Sequence, residues 1–214
     1  MEKMKKITGG IYLVVDPGQD EEYLFPRLQQ AIDGGIDCIQ IWDHWKPDSD
    51  RQASIQQIQA LAAEQQIPVL INNNWEVLQQ FNMDGIHLDQ PDENLAEKVA
   101  SIGHPFLIGV TCGNDLSTVR WAIDHQLDYI SFCSMFPSKS ASVCEIVSSE
   151  TVQEAQRLST MPIFVAGGIS LENIELLKST GMNGVAVISS VLDAENPKKI
   201  VEQYRAKMTI NDRH

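Results

Sequence analysis

Short apolar segments rich in β-forming residues alternate with amphipathic segments along the whole chain. The first apolar segment, residues 11–15, runs into an Asp-Pro-Gly turn signal. Leu24, Leu28 and Ala31 follow at helical spacing and predict the first helix. Asn196 before Pro197 predicts the start of the last helix, because Asn caps helices and Pro suits their first position. Strands are predicted at residues 11–15, 38–42, 68–71, 84–88, 106–110, 128–133, 162–166 and 184–188.

The alternation of eight strands with eight helical segments predicts an α/β fold with a parallel sheet and right-handed crossovers. Open doubly wound sheets usually have fewer strands, whereas the (β/α)8 TIM barrel has eight. The 214 residues lie at the compact end of the range for this barrel. We see no linker or break in composition, so we expect residues 1–214 to form a single (β/α)8 barrel domain.

Composition narrows the function classes. The formal net charge is -13, which argues against nucleic acid and anionic membrane surfaces as partners. We find no apolar run long enough to span a bilayer, and the first ten residues do not resemble a secretion signal. The cysteines are far apart and form no CxxC pair, so we expect reduced thiols and a cytoplasmic location. They are Cys38, Cys112, Cys133 and Cys144.

Polar side chains follow the predicted strands, and in a barrel the chemistry lies at these carboxyl ends. Where strand two ends, Gln40, Trp42, His44 and Lys46 share one face if the chain stays extended, which favours a small-molecule site. The alternative is that Gln40 fills the barrel interior and the others belong to a loop. The amides at residues 72–74 fit either a ligand site or a turn with a helix cap.

Two carboxylates, Asp89 and Asp92, follow strand four. Carboxylate oxygens suit Mg²⁺, although Asp92 also fits the role of a helix cap. His87 lies within the strand, so we expect it to be a hydrogen-bonded interior residue rather than a catalyst.

The chain after strands six, seven and eight suggests a phosphate site. Gly167 and Gly168 follow strand seven, and residues 188–190 follow strand eight, where backbone N–H groups of this fold commonly bind phosphate. The glycine pair is alternatively a simple turn. The long segment 134–148 carries several hydroxyls and Lys139, and is either a loop that closes over a phosphate or a surface loop.

These segments together resemble the thiamine phosphate synthase family and its relative, the thiazole tautomerase. The resemblance implies a (β/α)8 barrel that joins a hydroxymethylpyrimidine diphosphate to a hydroxyethylthiazole phosphate, giving thiamine phosphate and pyrophosphate, with Mg²⁺ stabilising the departing charge. It implies small phosphorylated substrates as partners and leaves a homo-oligomer open. The landmarks are residues 10–14, 69–72, 84–88, 108–110, 128–130, 165–169 and 184–187.

The resemblance assigns roles to individual residues. Gln40 and Asn72 correspond to family residues at the pyrimidine, and Asp92 corresponds to a magnesium ligand. Thr111 stands where the synthase has a Ser. Ser138 and Ser140 keep hydroxyls of the loop after strand six. Gly168, Ile188 and Ser189 correspond to the thiazole-phosphate site, next to Gly167.

The chain departs from the family pattern on the pyrophosphate side. Trp42 and His44 replace an Arg and a Lys, Asn73 replaces an Asp, and Ala141 replaces a Lys. We expect Asp89 to supply the missing magnesium ligand, and Lys46 and Lys139 to supply the missing cations. Two alternatives remain open: a thiazole-phosphate isomerase-like enzyme, and a non-catalytic binder of thiazole or thiamine phosphate. For the tautomerase, the catalytic His position is occupied by Gly113.

Overall fold

The eight predicted strands form a closed, wholly parallel barrel in a computed structural model that describes residues 5–47, 49–137 and 145–209. The strands follow chain order around the barrel, and β1 pairs with β8 to close it, with Gly10 opposite Gly184. The predicted fold class is therefore confirmed. The strands are β1 Gly10–Val15, β2 Cys38–Ile41, β3 Val69–Asn72, β4 Gly85–Leu88, β5 Leu107–Cys112, β6 Tyr129–Cys133, β7 Ile163–Ala166 and β8 Gly184–Val187.

Helices cover the outside of the barrel. Leu24, Leu28 and Ala31 of the first helix are buried against it, as their spacing predicts. The last helix begins at Pro197, and Asn196 Oδ1 accepts a hydrogen bond from the Lys199 N–H at 3.0 Å. No helix in the described ranges has the length and apolarity needed to cross a membrane. The helices are α1 Glu21–Asp33, α2 Arg51–Ala63, α3 Trp75–Gln80, α4 Leu95–Ser101, α5 Ser117–Asp124, α6 Ser149–Leu158, a 3-10 helix Ile174–Thr180, α7 Ser189–Leu192 and α8 Pro197–Thr209.

Large side chains from the strands fill the barrel interior. Tyr12, Tyr129 and Phe164 are buried there and pack edge-on or tilted against one another. A glycine on a neighbouring strand makes room for them: a Cβ built on Gly109 would lie 2.1 Å from the Tyr129 ring. These rings form the floor beneath the carboxyl ends of the strands.

A repeated polar clamp closes the opposite, amino-terminal end of the barrel. An Asp or Asn precedes each even-numbered strand, and its side chain accepts a hydrogen bond from a main-chain N–H of the preceding odd-numbered strand. The contact measures 2.7–2.8 Å in all four places. The pairs are Asp37 with Ile11, Asp84 with Val69, Asp128 with Ile108, and Asn183 with Ile163.

Candidate active site

A cavity of about 580 Å³ lies at the carboxyl ends of the strands. Every strand of the barrel contributes to its wall, and its size is typical of small-molecule sites. Of the residues predicted as functional, it brings eight together. They are Gln40, Asn72, Asp89, Thr111, Gly167, Gly168, Ile188 and Ser189.

Not every predicted site residue is placed in the cavity. Asp92 is not among the residues that line the cavity. Ser138, Lys139 and Ser140 lie outside the described residues, so their roles stay predictions.

The residues after β2 do not share one face. The strand ends at Ile41, and the His44 N–H then donates to the Trp42 carbonyl at 2.8 Å, which turns the chain. Trp42 lines the cavity, but the His44 side chain is 70% exposed and contacts Asp16 at 3.6 Å. Lys46 is exposed as well and does not line the cavity. The expectation of an extended face was therefore wrong beyond Trp42, because the turn redirects the side chains.

The three consecutive amides have three different environments. Asn72 is buried at the end of β3 and lines the cavity. Its Nδ2 donates to Asp89 Oδ1 at 2.9 Å, and Asn73 Nδ2 donates to Asp89 Oδ2 at 2.6 Å. Asn74 caps α3, since its Oδ1 accepts from the Val77 N–H at 3.0 Å. Both oxygens of Asp89 are thus held by amide donors.

Asp92 has partners of its own that differ from those of Asp89. Its Oδ2 pairs with Lys98 Nζ at 2.7 Å, and its Oδ1 accepts from the Asn94 N–H at 3.0 Å. Burial acts to raise the pKa of Asp92, but the Lys98 and Asn94 contacts outweigh it, so the pKa is lowered. Within the described residues no three His, Cys, Asp or Glu side chains are placed to hold a metal ion. Asp89 and Asp92 as magnesium ligands stay a prediction.

A line of buried polar side chains crosses the cavity floor. The Tyr12 hydroxyl donates to Gln40 Oε1 at 2.6 Å and lies 2.9 Å from the Tyr129 hydroxyl. His87 joins this line: its Nδ1 lies 2.8 Å from the Tyr129 hydroxyl and its Nε2 lies 2.9 Å from Thr111 Oγ1. Burial lowers the pKa of His87 to about 4, so the imidazole is neutral at pH 7. The expectation of a hydrogen-bonded interior histidine is confirmed.

Tyr12 and Tyr129 were missed by the sequence reasoning. Both lie in the cluster that fills the barrel interior, and a buried aromatic residue with a hydroxyl needs a polar partner. That need is a signal in the sequence, but it does not say which partner is used. Burial raises the pKa of both hydroxyls well above the ordinary value, so both keep their hydrogens.

The opposite side of the cavity is built from glycine main chain. Gly167 and Gly168 have φ of +89° and +65°, a region that side chains other than Gly rarely adopt. A Cβ on Gly167 would collide with Ser134, and one on Gly168 with the main chain of the neighbouring segment. Asn173 holds this turn: its Nδ2 donates to the Gly168 carbonyl and its Oδ1 accepts from the Ser170 N–H, both at 2.8 Å.

Charge is distributed unevenly around the cavity. Among the described lining residues, Asp89 is the acid and neither Lys nor Arg is present. Ser189 and Ser190 lie beside the glycine turn and offer hydroxyl and main-chain donors. An anion is therefore better accommodated at the glycine and serine side than beside Asp89.

One family model matches most of the chain. The family described as thiamine monophosphate synthase matches residues 11–191. The thiamine-phosphate synthase of Clostridium tetani is 30% identical over 205 residues, which are 93% of this chain and 95% of that protein. The thiamine biosynthesis bifunctional protein ThiED of Geobacter sulfurreducens is 32% identical over 92% of this chain, which spans only 39% of that longer protein.

A solved structure shares the fold. The thiamine phosphate pyrophosphorylase from Pyrococcus furiosus superimposes with a TM-score of 0.78, at 22% identity, covering 93% of this chain and 95% of that one.

Proposed function

The chain belongs to the thiamine monophosphate synthase family, and on this basis we propose that it joins hydroxymethylpyrimidine diphosphate to hydroxyethylthiazole phosphate to give thiamine phosphate and pyrophosphate. The observation that carries the proposal is the cavity at the carboxyl ends of the strands. Polar side chains line one side of it, and a glycine turn beside two serines forms the other. Two phosphorylated rings need two such regions within contact distance of each other.

The glycine side of the cavity is the proposed thiazole-phosphate site. At Gly167 and Gly168 the backbone can approach an oxyanion closely, because no side chain intervenes. Ile188 and Ser189 lie beside this turn, and the Ser189 hydroxyl adds a further donor. Asn173 fixes the turn through its two hydrogen bonds, so the site is formed before the ligand binds.

The polar side is the proposed pyrimidine site. Gln40, Asn72 and Thr111 come from three strands and are fixed by hydrogen bonds within the barrel wall. They orient the ring so that the carbon bearing the diphosphate faces the thiazole nitrogen. The bond from that carbon to the diphosphate oxygen breaks with its electron pair leaving on pyrophosphate, and the nitrogen lone pair then forms the new carbon–nitrogen bond.

The two predicted magnesium ligands, Asp89 and Asp92, are both engaged by other partners in the described structure. Both Asp89 oxygens accept hydrogen bonds from amides, and Asp92 is paired with Lys98 outside the cavity lining. An ion at this place requires these contacts to be exchanged for metal bonds, and Asp89 remains the proposed ligand within the cavity. Ser138, Lys139 and Ser140 are proposed to contact the departing pyrophosphate.

The contrast between the polar side and the glycine side of the cavity favours a second function. Trp42 and Asp89, with no described Lys or Arg in the lining, make a poor site for a diphosphate, whereas the glycine and serine side is intact. A protein that binds thiazole phosphate or thiamine phosphate without joining the two halves is the alternative. An isomerase-like activity on thiazole phosphate is a further form of it, although Gly113 supplies no side chain for proton transfer.

Turnover by the purified protein tests the proposal. Both substrates are supplied with and without Mg²⁺, and thiamine phosphate is read by fluorescence after oxidation. We expect product with the wild type, a loss of turnover in Thr111→Val, and near wild-type turnover in the matched Thr180→Val control. Thr180 is buried outside the cavity and donates its hydroxyl to the Leu177 carbonyl. No product from folded wild-type protein contradicts the synthase, and calorimetry with thiazole phosphate then tests the binder.

Location and assembly remain proposals as well. We propose a cytoplasmic location, because the buried Cys38 and Cys112 are present as thiols, as expected in a reducing compartment. A homo-oligomer is tested by light scattering on the purified protein.

A further inference from the structure

The line of polar groups across the cavity floor has a direction. It runs from Gln40 through Tyr12, Tyr129 and His87 to Thr111, with each neighbouring pair of atoms 2.6–2.9 Å apart. Gln40, Tyr12, His87 and Thr111 line the cavity, and Tyr129 is buried beneath it; the first four residues of the line are at most 6% exposed. Buried polar groups are normally hydrogen-bonded, and in this line the neighbouring groups are the near partners.

Counting hydrogens fixes the donor in every pair. A neutral tyrosine has one hydroxyl hydrogen, and that of Tyr12 goes to Gln40 Oε1, which only accepts. The hydrogen between the two tyrosines therefore belongs to Tyr129. The contact between Tyr129 and His87 then needs its hydrogen on Nδ1 of the imidazole.

The tautomer of His87 decides how Thr111 is oriented. A neutral imidazole with its hydrogen on Nδ1 has a bare Nε2, which accepts the hydroxyl hydrogen of Thr111 at 2.9 Å. Ser131 Oγ is a more distant neighbour, at 3.5 Å from Nε2 and 3.4 Å from Thr111 Oγ1. The oxygen of Thr111 is left to face the cavity as an acceptor.

Gln40 is oriented by the other end of the line. Because its Oε1 is occupied by the Tyr12 hydroxyl, the amide NH₂ is the group that Gln40 can offer to a ligand. The floor thus has a donor at one end and an acceptor at the other. A heteroaromatic ring with a ring-nitrogen acceptor and an N–H donor matches that order, and a ring with the reverse order does not.

We propose that Tyr12, Tyr129 and His87 are positioning residues, a relay that holds His87 as the Nδ1–H tautomer and so fixes Gln40 as a donor and Thr111 as an acceptor toward the ligand ring. The identity of that ring rests on the proposed function, whereas the relay itself does not. Tyr12 and Thr111 are coupled through two intervening side chains, so a change at Tyr12 alters the orientation of the Thr111 hydroxyl.

The tautomer is read directly by long-range proton–nitrogen NMR of the imidazole in the ligand-free protein at pH 7. We expect a protonated Nδ1 and an unprotonated Nε2 for His87. In Tyr12→Phe the Tyr129 hydrogen is released and can point to Nδ1, so the population should shift toward the Nε2–H form. A wild-type protein with its hydrogen on Nε2 overturns the relay, and so does a Tyr12→Phe protein in which the tautomer is unchanged.

Enzyme kinetics supply the functional readout. Tyr12→Phe and Tyr129→Phe should each raise KM for the pyrimidine diphosphate about tenfold and leave KM for the thiazole phosphate unchanged, as expected for one misdirected hydrogen bond. Thr180→Val controls for the loss of a buried hydroxyl elsewhere and should change neither KM. Equal effects on both substrates, or an equal effect in the control, contradict positioning. If the wild type makes no thiamine phosphate, the proposed function fails while the tautomer measurement still decides the relay.

Discussion

Acidification should destabilise the folded protein through His87. The imidazole is 5% exposed, and burial lowers its pKa from 6.5 to about 4, while the charge of Asp89 acts in the opposite direction. The other titratable groups facing it, Tyr12 and Tyr129, stay neutral in this range because burial raises their pKa. His87 is therefore protonated below about pH 6.5 in the unfolded chain, but only below about pH 4 in the native state.

The size of the effect follows from the two pKa values. At pH 5 the unfolded state is favoured about 30-fold by this one group, which lowers the free energy of unfolding by about 2 kcal/mol relative to pH 7. The contribution is fully present above pH 6.5 and is lost as the pH falls toward 4.

Urea unfolding of the wild type and of His87→Gln at pH 7 and pH 5, both in the presence of a chelator, measures this contribution. Other groups titrate in both proteins and cancel in the difference, so the gap between the two proteins should shrink by about 2 kcal/mol at the lower pH. An NMR titration of His87 gives the native pKa independently. A gap that does not change with pH, or a native pKa near 6.5, would refute the reasoning.

Two further substitutions test the packing and the clamp. Gly109→Ala should lower the free energy of unfolding by about 1–3 kcal/mol in denaturant, because its Cβ would meet the Tyr129 ring. The control Gly103→Ala has open space around the new Cβ and should change stability little. Equal costs for the two substitutions would contradict the steric argument. Asp84→Ala should cost about 1–3 kcal/mol, since it leaves the Val69 N–H unpaired and removes the Lys5 ion pair. Asp33→Ala, at an exposed Asp outside the clamp, is its control, and a cost as small as the control's would show that the clamp contributes nothing.

The barrel could be predicted from the sequence because its signal is local. Eight apolar segments at regular spacing specify eight strands, and parallel strands at that count close. The strand ends could not be predicted as well, because pairing with neighbours decides them. Thr111, for example, falls beyond the predicted fifth strand, yet it pairs with Ser131 within β5 and β6.

The site could be predicted in part for the same reason. Residues that follow a strand, such as Asn72 and Gly168, are brought to the cavity by the fold alone. The relay depends on contacts between residues far apart in the chain: Tyr12 and Tyr129 are 117 positions apart, and only closure of the barrel brings their hydroxyls together. The environment of Asp92 depends on Lys98, and the residue type alone does not determine whether an Asp forms an ion pair or binds a metal.

The clamp at the amino-terminal end groups the eight strands into four pairs, β1–β2, β3–β4, β5–β6 and β7–β8. Each odd-numbered strand is fastened to the even-numbered strand that follows it by an Asp or Asn side chain in addition to the sheet ladder. Among the described residues, the boundaries between one strand pair and the next lack this side-chain hydrogen bond, so local opening is expected to begin there. Tyr12 lies in the first strand pair and Tyr129 in the third, and the contact between their hydroxyls spans the barrel interior. The same side chains that orient the hydrogen bonds of the ligand site therefore also connect strand pairs on different sides of the barrel.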